Sequence, residues 1–403
     1  MLNKKQPLKL NLIEFLIILV VAYTIAPIIS RFISNFLTTY FYMLVVVLLT
    51  LLLFLVRGNK SANDCFVLLF PFICWKALTF FLPKDNIIIW GYSALLDLLP
   101  LIIGYYFVNY VDIKKLSFFS SLIVVLLLIT GITTIIGCTI YPEAARYLAT
   151  VADPNEALAV QYDWRNIGGY SFVYMLILVH PLVVLAYKKQ KIKKWQALLS
   201  SLLIVTVAIY SEYTTAFLMS ILSCFLYFFK RTFTAKQCMT WLIAVILFIV
   251  LFYTVFAKLF IALADVINSE TMAYRLRALA GGREGIENSE DNRVGLYDAS
   301  MRTFFKYPLF GSFLRGGGGI GGHSFVLDIL AHFGLIGLVL LVWMYRTIYI
   351  KFFLPYKKKE NYGYVVWTFV QTLFLSIVNT GGWLPVLAIF VPVFLKIIYE
   401  EKQ

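Results

Sequence analysis

The sequence is poor in charged residues, in cysteine and in histidine. Of its 403 residues 14% are charged and 61% are hydrophobic, whereas soluble domains carry about 25% charged residues. This balance excludes a soluble globular class and indicates an integral membrane protein. The five cysteines show no paired or metal-like spacing, so neither a disulfide scaffold nor a zinc site is expected. Only three histidines are present, so imidazole chemistry has few candidates.

Long apolar runs fill most of the chain. A helix needs about 20 apolar residues to cross about 30 Å of hydrocarbon, and about twelve segments reach or approach that length. They lie near 11–30, 38–56, 64–82, 87–108, 116–140, 166–187, 195–210, 212–229, 239–264, 323–350, 362–380 and 383–399. We predict an all-α, polytopic membrane protein: one integral membrane domain, residues 1–403, with about twelve transmembrane helices.

The basic residues predict how this domain is oriented, because short cytoplasmic loops retain Lys and Arg. When the twelve spans alternate from a cytoplasmic N-terminus, the basic clusters all fall on one side. These clusters are at 4–9, 57–60, 114–115, 188–194, 230–236 and 357–359. Both termini are therefore predicted to be cytoplasmic. This bias, helped by anionic lipid, explains the net charge of +14, so no nucleic acid partner is expected.

Two predicted external segments are longer than a turn, residues 141–165 and residues 265–322. In the second, a helix is expected from an N-cap at Ser269 to the glycines at 281–282. A clearer amphipathic helix begins at residue 293 and ends before Pro308. The irregular stretch that follows cannot face lipid, where unpaired amides are costly, so it must line water or be enclosed by protein.

Three residues at the outer ends of spans or loop helices are candidates for anion and proton chemistry. Arg165 precedes the sixth span, Arg293 opens the amphipathic helix, and His323 begins the tenth span. A guanidinium group suits phosphate oxygens, and an imidazole can accept a proton near neutral pH. Structural alternatives remain open: an interfacial anchor for Arg165, a solvated helix face for Arg293, and a cap for His323.

Further candidates surround these three residues. Arg275 and Arg277 lie in the same large loop as Arg293, and a diphosphate needs at least two such donors. Glycines before His323 would let a bulky ligand approach a helix start, which favours anions. Asp328 and His332, one turn apart in the tenth span, are either a buried structural pair or functional residues.

Three segments, in this order along the chain, resemble the superfamily of O-antigen ligases and polymerases, which includes the Wzy-type polysaccharide polymerases. They are RNIGGYSF at 165–172, an R-x-x-x-Y-x-x-S pattern followed by YPLFGS within 293–312, and GGHSFVLDILAHFGLIG at 321–337. The positions that match the motifs are Arg165, Arg293, Pro308 with Leu309 and Gly311, His323, and Gly334 with Leu335 and Gly337.

The resemblance implies a GT-C-like glycosyltransferase, a polymerase that joins oligosaccharide repeat units linked to undecaprenyl or another polyprenyl diphosphate. The product would be a cell-envelope polysaccharide such as O-antigen or capsule. Transfer would be inverting, without metal or cofactor, on the external or periplasmic side of a bacterial plasma (inner) membrane. Besides the lipid-linked donor and acceptor, its partners would be membrane lipids, a chain-length regulator and a flippase of the same pathway.

The resemblance also implies the site. Its catalytic residues would be Arg165, Arg293 and His323, and the large loop 265–322 would contribute to it. With the loop arginines and the glycines before His323 added from the residue pattern, the predicted substrate-binding set comprises Arg165, Arg293, Arg275, Arg277, Gly321 and Gly322.

Two alternatives stay open. An O-antigen ligase would use the same donor and another acceptor molecule. A lipid-linked oligosaccharide flippase or transporter would also suit twelve spans with cytoplasmic termini, with intramembrane Asp97 and Asp328 carrying substrate or protons.

Overall fold

The structure is a computed structural model. It describes residues 10–36, 47, 59–80, 87–151, 153, 155–229, 232–266, 270–281, 293–313, 319–381 and 383–400. All regular elements in these ranges are helical, so the all-α prediction is confirmed. Most of the predicted second span, near 38–56, lies outside the described residues.

The helices are numbered here in chain order. They are α1 (Leu12–Ile25), α2 (Pro27–Phe36), α3 (Asn59–Phe80), α4 (Ile87–Tyr110), α5 (Ile113–Ile140), α6 (Ala144–Thr150), α7 (Ala157–Trp164), α8 (Tyr170–Lys188), α9 (Lys194–Tyr210), α10 (Thr214–Cys224), α11 (Ala235–Leu251), α12 (Tyr253–Val266), α13 (Glu270–Ala280), α14 (Arg293–Lys306), α15 (Phe325–Ile348), α16 (Tyr362–Val378) and α17 (Val391–Glu400). Short 3-10 or π turns cover Phe225–Phe228, Tyr349–Phe353, Leu354–Tyr356 and Val386–Phe390.

The helices long and apolar enough to cross a membrane are fewer than predicted. Among the described residues they are α5, α8 and the stretch Phe325–Tyr356 that begins with α15. A fourth span results if Leu12–Ile25 and Pro27–Ser34 are counted as one span. The chain bends by 118° between these two helices. Other predicted spans are shorter apolar helices, such as Lys194–Tyr210 and Tyr362–Val378. The prediction of about twelve transmembrane helices is therefore not confirmed.

Several local predictions from the sequence are confirmed. In the large loop, α13 runs from Glu270 to Ala280 and α14 ends at Lys306, shortly before Pro308. Ser211, the residue between the predicted spans 195–210 and 212–229, is the C-cap of α9. Glu212 then adopts a positive φ of 59°, which turns the chain into α10.

The bend between α1 and α2 has a local cause. Pro27 has no backbone N–H and disfavours helical geometry in the residue before it. Ala26 is accordingly extended, with φ −112° and ψ 108°. Arg31 of α2 donates to Asp163 Oδ2 from Nε at 3.2 Å and from Nη2 at 2.8 Å. The bent helix is thus anchored to α7.

The helix α8 lies at the centre of the packed helices, because its residues 172–182 are all buried. A turn locked to α5 fixes its start. Asn166, with φ 56°, donates from Nδ2 to the hydroxyl oxygens of Thr130 and Thr133 at 3.1 Å each. Gly168 N donates to Thr134 Oγ1 at 2.8 Å. Residues 166–168 of the first motif therefore form a buried structural turn.

Many of the predicted cytoplasmic segments meet at one end of the helices. Lys189 forms an ion pair with Glu360 at 2.8 Å, and Tyr399 OH donates to the Glu360 carbonyl oxygen at 2.8 Å. Near the N-terminal end of the described chain, Lys115 forms an ion pair with Glu14 at 2.8 Å. Lys396 Nζ of α17 donates to the carbonyl oxygens of Val108 and Val111, at the end of α4, at 2.6 and 3.3 Å. Because Tyr399 also belongs to α17, this helix contacts both regions.

The Pro-Leu-Phe-Gly turn of the second motif docks into a break in α15. The break is at Gly334, with φ 60° and ψ −147°, which frees the amide of Leu335 from the helix. Leu335 N donates instead to the Pro308 carbonyl oxygen at 2.8 Å. On the other side of the turn, Ser312 N donates to the Ala331 carbonyl oxygen at 2.9 Å. The second and third motifs are therefore one interlocked unit.

The break folds the first part of α15 back toward the second. In a straight helix Phe325 and Tyr345 would lie about 30 Å apart, yet both line one cavity. Phe325 N donates to the Asn379 carbonyl oxygen at 2.8 Å. Tyr345 OH pairs with Ser376 Oγ, also at 2.8 Å. Because Ser376 and Asn379 are neighbours at the end of α16, the sharp bend at Gly334 follows.

We expect Gly334→Ala to destabilise the fold. A Cβ at Gly334 would lie 2.5 Å from the Pro308 carbonyl oxygen, and a side chain at this φ and ψ costs about 1–3 kcal/mol. The matched control is Gly131→Ala in α5, where the nearest atom is a Leu203 side-chain carbon at 3.3 Å. The midpoint of thermal unfolding in detergent is measured for both variants, and it should be lower for Gly334→Ala. Equal midpoints for the two variants would contradict the interlocked break.

Candidate active site

His323 lies on a short loop, residues 319–324, that packs against α14. Gly321 N donates to Ser300 Oγ of α14 at 2.9 Å. A Cβ on Gly321 would collide with the carbonyl oxygen of Leu296 in the same helix, so this approach requires glycine. The side chain of His323 remains exposed. The loop therefore presents the imidazole instead of burying it.

A cavity of about 730 Å³ opens beside His323. Its wall combines the bend between α1 and α2, the helices α6 and α7, the start of α8, and residues 379–380. Among the described residues, three basic side chains line it: Arg146 from α6, Arg275 from α13, and His323. Arg146 belongs to the first predicted external segment and Arg275 to the second, whereas His323 begins the tenth predicted span. Segments far apart in the sequence thus supply one basic cavity.

The turn between α9 and α10 contacts both helices that carry these arginines. Tyr213 OH donates to the Ala145 carbonyl oxygen at 2.8 Å, directly beside Arg146. Arg275 Nη1 donates to the Glu212 carbonyl oxygen at 3.5 Å. Tyr213 itself lines the cavity. The turn therefore contacts both α6 and α13 at the wall of the cavity.

Arg277, a predicted substrate ligand, points elsewhere. It follows Arg275 by two residues on α13, which is a rotation of about 200° around a helix. Its Nη2 pairs with Asp265 Oδ1 at 2.8 Å, and both side chains are more than half exposed, at 57% and 58%. Arg275 is therefore the arginine that this helix directs into the cavity.

Arg165, a predicted catalytic residue, is exposed and does not line this cavity. Its guanidinium carbon lies 4.8 Å from the centroid of the Tyr141 ring, a cation–π arrangement. After Arg165 the left-handed residue Asn166 redirects the chain, and Gly169 and Tyr170 reach the cavity instead.

The remaining predicted site residues fall into three groups. The backbone of Arg293 begins α14, but its side chain lies outside the described residues. Gly322, with φ 75°, lines the cavity next to His323. Gly321 instead contacts α14, as described above. The structure therefore brings together His323, Gly322 and Arg275 from the predicted set.

In the part of the chain that the structure describes, one carboxylate also lines the cavity. It belongs to Asp163, whose pKa is raised by burial, with the Arg31 guanidinium acting in the opposite direction. The side chains of Arg31 and Asp163 are 10% and 24% exposed. Asp163 is thus paired with Arg31, and the guanidinium groups of Arg146 and Arg275 offer the cavity donors that suit an anionic ligand.

A second, more apolar cavity of about 670 Å³ adjoins the first. Five residues, Tyr23, Thr24, Tyr170, Ser171 and Thr380, line both cavities. The apolar residues in the wall of the second cavity include Trp75, Met175, Phe325, Met344 and Trp383. Lys76 also lines it. The two spaces together suit a molecule with an anionic head and an apolar body.

Comparison with known proteins adds no relative. No family model matches this chain, and no curated protein matches it. The resemblance noted above is therefore carried by three short segments. Of these, the segment around His323 contributes directly to the basic cavity, and the segment around Pro308 supports it.

The sequence did not single out Arg146, Asn379 or Thr380 as site residues. Arg146 lies in the external segment 141–165, where only Arg165 stood beside a recognisable motif. Asn379 and Thr380 belong to NTGG, a polar step between two apolar runs. This polar segment is the signal that could have identified them. Polar, irregular backbone between two predicted spans must line a cavity or be enclosed by protein.

The arrangement can bind a doubly charged anion and move one proton. Two guanidinium groups can stabilise negative charge that develops on a leaving group. An exposed imidazole at the same cavity can accept a proton from an attacking hydroxyl. These two capacities match the requirements of a displacement at an activated carbon with a diphosphate leaving group.

Proposed function

We propose that this protein is a polytopic membrane glycosyltransferase that polymerises polyprenyl-diphosphate-linked oligosaccharide repeat units into a surface polysaccharide. The observation that carries the proposal is the convergence of Arg146, Arg275 and His323 on one cavity that adjoins an apolar cavity. A polyprenyl diphosphate has an anionic head for the first and a hydrocarbon chain for the second. The motif resemblance around His323 supports the same class.

In the proposed reaction one bond forms and one breaks at the anomeric carbon of the donor. The acceptor hydroxyl oxygen bonds to that carbon while the carbon–oxygen bond to the diphosphate breaks on the opposite face. The diphosphate leaves with the bonding electron pair, and Arg146 and Arg275 stabilise its charge. His323 accepts the hydroxyl proton. A single displacement of this kind inverts the anomeric configuration.

We further propose about twelve spans, cytoplasmic termini and an outward-facing site in a bacterial plasma membrane. Two features support this orientation. Predicted cytoplasmic segments share contacts such as Lys189–Glu360 and Lys115–Glu14. The basic cavity is instead lined by residues of the two predicted external segments. An outward site would meet lipid-linked repeat units after a flippase has delivered them.

Reconstitution tests the proposal. The purified protein in liposomes is incubated with isotope-labelled, polyprenyl-diphosphate-linked repeat units, without an ion gradient. We expect a ladder of longer lipid-linked glycans and one free polyprenyl diphosphate for each new glycosidic bond. NMR of the product should show an inverted anomeric configuration at each new linkage.

Three other results would contradict the polymerase. Movement of intact repeat units across the bilayer without a new bond would identify a flippase. Transfer that requires a separate acceptor molecule, with no chain growth, would identify a ligase. Products with retained anomeric configuration would exclude the single displacement.

A further inference from the structure

A single carboxylate holds the backbone on both sides of His323. Asp328 Oδ1 accepts a hydrogen bond from Gly322 N at 3.2 Å, and Oδ2 accepts one from Ser324 N at 3.1 Å. These two amides flank the histidine. The carboxylate therefore fixes the chain immediately before and after the imidazole-bearing residue.

Ser300 connects this carboxylate to α14. Its hydroxyl donates to Asp328 Oδ1 at 2.7 Å and accepts from Gly321 N at 2.9 Å. Ser300 is 1% exposed, so water does not compete for these bonds. The loop is thus tied to two elements, the first turn of α15 and the buried face of α14.

The hydrogen bonds of Asp328 and Ser300 matter because the sequence before His323 is rich in glycine. Residues 315–322 read RGGGGIGG, and glycine has more backbone freedom to lose than any other residue. Fixing one residue in a single backbone conformation costs about 1–2 kcal/mol. Without the hydrogen bonds to Asp328 and Ser300, an exposed histidine next to such a segment would sample many positions. Catalysis by a general base requires one position, within hydrogen-bond reach of the reacting hydroxyl.

We propose that Asp328 and Ser300 are positioning residues for His323, and that they hold its backbone where the imidazole faces the basic cavity. The inference rests on the proposed glycosyl transfer. Neither side chain is among those lining the basic cavity, so both act through His323 and the loop that carries it.

A simpler role for Asp328 is helix capping. Ser324 is the N-cap of α15, and its Oγ accepts from Leu327 N at 3.1 Å. A capping carboxylate alone would contribute to stability, and its loss would affect substrate binding and turnover only through the amount of folded protein. A positioning residue instead lowers kcat of the folded enzyme while KM stays nearly constant, because the bound substrate is the same and the base is misplaced.

The test compares three variants in proteoliposomes. Asp328→Asn keeps the shape but replaces one acceptor oxygen by a donor, so one flanking amide loses its partner. Ser300→Ala removes the link to α14. Asp298→Asn is the matched control, because Asp298 lies on α14 and pairs with exposed Arg302. Each is measured for kcat and KM of polymerisation, for thermal unfolding, and for hydrogen exchange at the amides of residues 321–324.

We expect kcat to fall by about 10²-fold in Asp328→Asn, since a displacement of about 1 Å can cost this much. The kcat of Ser300→Ala should also be lower than that of the wild type. KM should stay within about threefold of the wild type, because ground-state binding is retained. Amides 321–324 should exchange faster in both variants, and Asp298→Asn should match the wild type in every measurement.

Two results separate the possible failures. If the wild type polymerises and Asp328→Asn keeps its kcat, or loses activity only in proportion to unfolded protein, positioning is wrong and capping is sufficient. If the wild type forms no polymer, the proposed function itself fails. Hydrogen exchange would then still show whether Asp328 orders the loop, but the loop would serve another reaction.

Discussion

Replacing Arg146 or Arg275 by alanine is expected to abolish most of the polymerising activity. Both guanidinium groups line the basic cavity, and removing one preorganised donor to a developing anion typically costs about 10²–10³-fold in kcat. The measurement is the initial rate of polyprenyl diphosphate release in proteoliposomes, normalised to folded protein. The double variant should lose less than the product of the single effects, because both act on one leaving group.

Two further arginines complete this experiment. Arg302→Ala is the matched control, because Arg302 is exposed on α14 and pairs with Asp298. Arg165→Ala separates the two assignments of the anion site. The motif resemblance predicts a loss of activity, whereas its position over Tyr141, outside the cavity, predicts retention. Full activity in both Arg146→Ala and Arg275→Ala would refute the cavity as the diphosphate site.

Replacing His323 by alanine is expected to lower kcat by about 10²–10⁴-fold, the usual contribution of a general base. The fold should be retained, because this side chain is exposed. Added imidazole should restore part of the rate in His323→Ala by entering the vacated space. The same polyprenyl diphosphate assay measures the loss and the rescue.

His323→Gln distinguishes the two roles available to this residue. Glutamine can orient an acceptor hydroxyl through a hydrogen bond, but it does not accept a proton near neutral pH. Activity comparable to the wild type in His323→Gln would assign an orienting role, and the base would have to be sought elsewhere. Unchanged activity in His323→Ala would remove His323 from the mechanism.

Much of the helical architecture was predictable because it depends on local patterns. The helix that begins at Arg293 was predicted from its amphipathic spacing, and its end was predicted from Pro308. Ser211, which separates two short predicted spans, is the C-cap of α9. The geometry within the predicted spans was not predictable in this way, because hydropathy does not register breaks such as the one at Gly334 or the 118° bend between α1 and α2.

The site was predictable only in part. His323 was found because a histidine after two glycines at a helix start is locally conspicuous. The choice among arginines was not local. Arg275 and Arg277 differ by two positions in sequence, and only the phase of α13 decides which of them enters the cavity. Arg146 reaches it through the contact of Tyr213 with Ala145, which joins segments far apart in the chain.

By itself the sequence determined the apolar, helical character of the chain and the presence of an imidazole beside a glycine-rich helix start, because these follow from hydropathy and from neighbouring residues. Only the tertiary structure decided which guanidinium groups share a cavity with that imidazole, and that Asp328 and Ser300 hold its loop. The reason is that side-chain convergence depends on helix phase, on bends at single residues and on long-range packing, none of which a local pattern encodes.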